Sequence, residues 1–208
     1  MNRKWILYLG VAATCTILAA TGGSYARQTA LQHGIAEKVL RFHVLANSDS
    51  DRDQCLKLEV RDAVGSYMQE KLTDAGSFTE SEQIVAENLP EIERIAEEIL
   101  TREGCHDAVV ARLEETSFPV KQYGDYTFPA GNYEALRVVI GEGEGHNWWC
   151  VMYPNLCFEN SIYEVVGKDA GGKLQEVLSP EEYEKVLEDG NYHIKCKYLS
   201  FLNGLWTK

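Results

Sequence analysis

The stretch LRVVIGEGEGHNWWCVMYPNLCF, residues 136–158, decides the fold of this chain. Residues 136–140 predict a strand, because β-branched side chains at alternating positions suit a pleated surface. Three glycines follow within residues 141–145, and glycine gives the backbone conformations that are closed to other residues. Residues 148–153 predict a second strand, so we expect the glycine loop to close a β-hairpin.

Two tryptophans and two cysteines give this stretch its chemical character. Adjacent tryptophans such as Trp148 and Trp149 usually indicate a packed core or a recognition surface. Because side chains alternate along a strand, one of them should point inward and the other outward. Cys150 and Cys157 flank the turn pair Pro154-Asn155. A disulfide across that turn, which would stabilise the fold by about 2–3 kcal/mol, and two free buried thiols both remain open.

The N-terminus has the composition of an export signal. Two basic residues precede an apolar run over residues 5–20, and the small residues Ser24 and Ala26 then resemble a cleavage site. We predict a signal peptide or membrane anchor over residues 1–26, with cleavage favoured over retention. In either case residues 27–208 would lie outside the cytoplasmic membrane, and the membrane would be contacted only through residues 5–20 of an uncleaved chain.

Composition limits the partners of the exported part. The 208-residue chain carries a net charge of −12, and without residues 1–26 it has 18 basic against 32 acidic side chains. Such a surface repels phosphate backbones, so we expect no nucleic-acid binding. A hydrophobic content of 45% is ordinary for a globular protein, and the length suffices for one domain with a core.

The remaining pattern predicts a single α+β domain over residues 39–208, after a linker or loosely ordered helix at residues 27–38. We expect a mostly antiparallel sheet with helices packed on one face. The first predicted elements are a strand at 39–46, a helix to about 74, and a helix that is opened by Thr79 and Glu82 and interrupted near Pro90. A strand at 108–115, an irregular or edge strand at 118–129 and the stretch 136–158 follow. The last predicted elements are a strand at 162–166, a turn at 168–173, a helix opened at 179–182 and a strand at 192–198.

The sequence lacks the residue pattern of a calcium site and of a nucleotide site. Residues 47–53 alternate side-chain oxygens, but a calcium loop needs glycine at its sixth position and glutamate at its twelfth, and neither is present. These residues instead predict a strand-to-helix turn with a capping Asp or Ser. The glycine loop lacks the following helix that a dinucleotide site requires, and Glu142 and Glu144 would repel phosphate.

Catalytic sites find little support either. His146 and Cys150 lie about 13 Å apart if both belong to one strand, which is too far for a thiol and its base. His146, Cys150 and Cys157 lack a fourth ligand for zinc. We therefore predict no cofactor, no metal and no catalytic residue. An exported hydrolase or cell-wall-acting enzyme that uses His146 and Cys150 remains the alternative.

Two segments resemble a known family. Residues 41–50 (RFHVLANSDS), with matching positions that continue to Asp62, resemble the N-terminal motif of the stage II sporulation protein R family. Residues 136–158, with HNWWC after a strand and the spaced glycines, resemble its second motif. Together the two motifs cover about 40 residues.

The resemblance implies an exported signalling protein, not an enzyme. Family members are made in the forespore and reach the space between forespore and mother cell. There they activate a membrane-embedded aspartic protease of the mother cell, which processes pro-sigma-E. On this basis we predict that the protein contacts its partner through the glycine loop and nearby residues: Arg41, His43, Asn47, Gly143, Gly145, His146, Asn147 and Trp148.

Overall fold

The computed structural model describes residues 3–154, 156 and 170–187. The elements in chain order are α1 Arg3–Ala36, β1 Leu40–Leu45, α2 Asp51–Lys71, α3 Phe78–Arg102, β2 Val109–Phe118, β3 Lys121–Tyr123, β4 Tyr126–Phe128, β5 Gly131–Ile140, β6 Asn147–Tyr153, α4 Ala170–Val177 and α5 Pro180–Leu187. The strands predicted at 162–166 and 192–198 lie outside the described residues. In the described part of the chain, no helix is long and apolar enough to cross a membrane.

The main sheet has four strands in the order β2-β5-β1-β6. Strand β1 runs parallel to β5 and antiparallel to β6, and β2 is antiparallel to β5. The predicted α+β class with a mostly antiparallel sheet is confirmed. The predicted hairpin is wrong, because β1 lies between β5 and β6. All six residues of β1 are buried, and the strand lies inside the sheet with a neighbouring strand on each edge.

Helices α2 and α3 pack on one face of the sheet, which we call the helical face. Ser50 caps α2 by accepting a hydrogen bond from the Asp53 N–H at 3.1 Å, as the sequence predicts for this turn. Leu56, Val60 and Val64 on α2 then bury their side chains against Phe42 and its neighbours in β1 and β5. Each such side chain contributes roughly 1.5–3 kcal/mol by leaving water.

Helix α3 differs from its prediction at two points. It begins at Phe78, capped by Ser77, whose Oγ accepts from the Glu80 N–H at 3.2 Å, so the capping pair is not Thr79 with Glu82. It also runs without a break through Pro90, although proline removes one helical hydrogen bond. The buried Val85 and Ile92 hold the helix on the core on both sides of that proline.

The opposite face, called the second face, is covered by the end of α1, the β3–β4 hairpin, α4 and α5. Residues 27–36 belong to α1, and Ile35 at its end is fully buried. Lys38 pairs with Glu182 of α5 at 2.6 Å. The predicted start of α5 is present, since Ser179 Oγ accepts from the Glu182 N–H at 3.4 Å.

One predicted turn is a helix in part. Residues 170–173 lie in α4, although glycines at two of these positions disfavour a helix. Leu174 and Leu178 are buried in the core of the second face. Tertiary packing of these leucines therefore outweighs the local preference for a turn.

Candidate partner-contact site at the end of the sheet

The segment of residues 141–146, called the glycine loop, crosses the carboxyl end of β1 on its way from β5 to β6. The N–H groups of Gly145 and Glu144 donate to the carbonyls of Ala46 and Asn47 at 3.0 and 3.2 Å. The loop is thus hydrogen-bonded to the residues that directly follow β1. This contact brings the two sequence motifs together at one end of the sheet.

The loop needs its glycines because it lies directly on the backbone beneath it. A Cβ atom at Gly145 would stand 2.2 Å from the Ser48 carbonyl oxygen and 2.9 Å from the Ala46 Cβ. Gly143 has a φ of +66°, in the left-handed region, and a Cβ there would meet Val139 at 2.7 Å. Both predicted contact glycines therefore act by shape, since each allows a close approach that other residues would block.

Asn47 and Asp49 fix the loop from below. The Asn47 Oδ1 accepts from the Glu142 N–H at 2.9 Å. The Asp49 Oδ1 accepts from the His146 N–H at 2.6 Å and also contacts the Nδ1 of its ring. These hydrogen bonds from His146 hold the pKa of the Asp49 carboxyl below its usual value. The His146 side chain remains 80% exposed, so it is fixed in place and open to a partner.

The two tryptophans lie on opposite faces of the sheet, as alternation predicts. Trp148 packs edge-on against Phe42 on the helical face, with ring centroids 5.5 Å apart, and the Arg61 guanidinium lies 5.1 Å from its centroid. Trp149 stacks on His43 on the second face, with centroids 3.8 Å apart. Both tryptophans are half-buried, because helices and loops cover both faces, so neither is a free anchor.

Arg41 lies in the interior of the second face and is fully buried. Its Nε donates to the Cys150 carbonyl and its Nη2 to the Tyr123 hydroxyl, each at 3.0 Å. Burial lowers the pKa of its guanidinium. The faces of aromatic rings stabilise a cation that has lost its water shell on burial. The ring centroids within 4.3–5.7 Å of the guanidinium carbon belong to Phe118, Tyr123, Phe128 and Tyr133.

His43 is also buried, with 4% of its surface exposed. Neither ring nitrogen has a hydrogen-bond partner of good geometry in the described part of the chain. The pKa of His43 is lowered to about 4, chiefly by burial; the Asn147 side chain opposes this shift, and the charges of Arg137 and Arg41 add to it. The imidazole is therefore neutral at pH 7.

The predicted contact residues other than the two glycines thus divide into three groups. His146 and Asn147 are exposed, and Asn47 and Trp148 are half-buried. Arg41 and His43 are interior, so they support the sheet and do not offer their side chains to a partner in this conformation. The sequence pattern offers Asp49 as a candidate helix cap and does not predict its role beneath the loop. Its bond to His146 depends on the strand order, which no local pattern shows.

Cys150 is buried and disulfide-bonded. Cys157 lies outside the described residues, so the pairing of Cys150 with Cys157 stays a prediction. In the described part, Cys55 and Cys105 are free thiols. No set of three or more His, Cys, Asp or Glu side chains among the described residues is arranged to hold a metal ion.

The fold and site define an α+β domain in which two sequence motifs meet at one exposed end of a mixed sheet. The family model of stage II sporulation protein R matches residues 36–163. Stage II sporulation protein R of Bacillus subtilis (strain 168) is 40% identical over 155 residues, which are 74% of this chain and 68% of that protein. No solved structure matches. The chain belongs to the stage II sporulation protein R family, which confirms the resemblance seen in the sequence.

Replacing Gly145 with alanine should destabilise the fold by about 1–3 kcal/mol, because the new methyl group would overlap backbone atoms that cannot move aside. Gly172 is the matched control, since a Cβ there meets nothing within 4 Å. Gly172→Ala lies inside α4 and should stabilise by about 0.5–1 kcal/mol. Urea unfolding of both variants measures the difference, and equal midpoints would contradict the tight loop crossing.

Burial of neutral His43 should make stability depend on pH. Above pH 6.5 neither the folded nor the unfolded state is protonated at this residue. Between pH 6.5 and about 4 the unfolded chain binds a proton at this residue that the folded chain does not bind. Up to about 3 kcal/mol of stability is therefore lost as the pH falls. Denaturant midpoints from pH 7 to 4.5 should therefore fall more steeply for the parent protein than for His43→Phe. Parallel curves would show that His43 is not buried as described.

Proposed function

We propose that this protein is an exported signalling protein of sporulation that activates a membrane-embedded aspartic protease of the mother cell and thereby promotes processing of pro-sigma-E. Membership of the stage II sporulation protein R family supports a role in sporulation. The basic and apolar N-terminal segment supports export. The observation that carries the proposal is that both segments that resemble the family meet in the fold at one exposed surface, where hydrogen bonds join them.

The proposed contact surface consists of Asn47, Asp49, His146 and Asn147. Hydrogen bonds from the glycine loop to the turn after β1 hold these residues before any partner arrives. A surface that is already ordered loses less conformational entropy on binding, which favours affinity. The Lys57 Nζ adds a further bond by donating to the His146 carbonyl at 2.9 Å. Such a surface is suited to recognition of a protein.

The alternative of a hydrolase is weakened by the state of its nucleophile. Cys150 is disulfide-bonded and buried, so it offers no thiolate for attack. The Asp49 carboxylate orients the His146 ring through Nδ1, but among the described residues no Ser, Thr or Cys side chain is hydrogen-bonded to that ring. Nothing in the geometry of the described residues favours this second function.

Co-expression tests the proposal directly. The full chain is produced with the membrane protease and pro-sigma-E in a host that lacks sporulation genes, with export confirmed by fractionation. Cleavage of pro-sigma-E should rise at least about tenfold when the chain is present, the change that 1.4 kcal/mol of coupling would give. The control is the same chain without residues 1–26, which should be retained inside the cell and inactive. Equal cleavage with and without the exported chain would refute the proposed function.

Truncation of the exposed contact residues should reduce activation without unfolding the protein. The double variant His146→Ala/Asn147→Ala keeps the backbone of the loop and should lower cleavage about tenfold or more, as expected for central interface residues. Lys71→Ala is the matched control, because Lys71 is exposed at the far end of α2, roughly 30 Å along the helix from its first residue. Both proteins should unfold at the parent midpoint. Full activity of the double variant would place the contact elsewhere.

A further inference from the structure

The strand register places four side chains in one line across the second face. Arg112 of β2 lies opposite Arg137 of β5, Arg137 lies opposite His43 of β1, and His43 lies opposite Trp149 of β6. We call these four residues the basic row. The adjacent row toward the glycine loop consists of Val110, Val139, Leu45 and Asn147.

This part of the second face is accessible. Arg112 is exposed, the Arg137 side chain is 31% exposed, and Val110 is 38% exposed. Trp149 is half-buried and offers part of its indole ring. The packed core of the second face lies toward the other end of the sheet, around Phe118 and its neighbours. The basic row therefore forms the border between the covered and the open part of this face.

The cations of the row have few carboxylate partners among the described residues. Among the described residues, Arg112 has no ion pair, and Arg137 has one, to Glu114 at 2.9 Å. Lys121 adds a third cation, with its Nζ 5.8 Å from the Trp149 ring centroid and no carboxylate partner in the described residues. This contrasts with the arginines that pair with carboxylates elsewhere, namely Arg27, Arg61, Arg94 and Arg102.

Two features of the row carry an energetic cost in the free protein. Like charges directly opposite each other on neighbouring strands, as in Arg112 and Arg137, are destabilising. His43 adds a second cost, because both of its buried ring nitrogens lack a hydrogen-bond partner of good geometry among the described residues, and an unpaired buried polar group costs about 1–3 kcal/mol. An anionic group between the two arginines would offset the first of these costs.

We propose that the basic row binds an acidic segment of the protein partner, whose carboxylates lie between Arg112 and Arg137 beside the stack of His43 on Trp149. This inference rests on the proposed function for the identity of the partner. Arginine is suited to the role, because its planar fork binds a carboxylate through two parallel hydrogen bonds. The chain itself is strongly acidic, with a net charge of −12, so this local cationic surface is where an acidic peptide would meet attraction and not repulsion.

A peptide titration tests the chemistry without the protease. A hexaglutamate peptide is added to the purified full chain at low salt, and the NMR signals of the Trp149 indole and the His43 ring are followed. Both signals should shift with saturation, the shifts should shrink in high salt, and hexalysine should cause none. Arg112→Glu should abolish the shifts and Arg112→Lys should keep most of them. Absence of shifts, or equal shifts in Arg112→Glu, would overturn the proposal.

A second experiment identifies the source of the acidic segment. A photoreactive amino acid replaces Val110 in the full chain, which is co-expressed with the protease and irradiated. An adduct with the protease is expected, and it should fall at least tenfold when Arg112→Glu is added but not when Lys71→Glu is added. A crosslink only within the chain itself would overturn the assignment to a partner.

The two proposals can fail separately. If the parent chain stimulates pro-sigma-E cleavage while Arg112→Glu is equally active and no protease adduct forms, the basic row fails and the proposed function stands. Without stimulation by the parent chain, the proposed function fails, and the peptide titration still decides whether the row binds carboxylates.

Discussion

The position of β1 between β5 and β6 is the constraint on which this end of the molecule depends. Because consecutive strands β5 and β6 are not neighbours, the six residues that join them must pass over the end of β1. The passage is narrow, since a Cβ atom at Gly145 would lie only 2.2 Å from the Ser48 carbonyl oxygen. The chain makes this close crossing because its glycines leave room for it and because the Asn47 side chain and the Asp49 carboxylate accept hydrogen bonds from the loop.

The same arrangement explains why two distant motifs form one unit. Residues 41–45 pair directly with residues 135–139 on one side and with residues 147–151 on the other. A change in either motif therefore alters the neighbour on which the other packs. Phe42 contacts Trp148 on the helical face, and His43 contacts Trp149 on the second face, so the central strand links both halves of the core to the exposed loop.

Local patterns predicted the elements better than their pairing. The strand at residues 39–46 and the capping of α2 by Ser50 follow from alternation and side-chain chemistry, which are visible in a short window. A glycine loop between two strands equally suits a hairpin, so the insertion of β1 had no local signal. The interior place of Arg41 was equally hidden, because the rings around it come from residues 118–133, more than 70 positions away.

The two surfaces at this end of the sheet differ in charge, and that difference would give the proposed partner one preferred orientation. Exposed Asp49, Glu142 and Glu144 make the loop side acidic, whereas Arg112 and Arg137 make the adjoining part of the second face basic. Asn147 borders both, since it is exposed at the start of β6 and lies opposite Leu45. Complementary charges contribute to specificity and association rate more than to affinity. A hydrogen-bonded loop beside a basic row would therefore favour one orientation of the proposed partner.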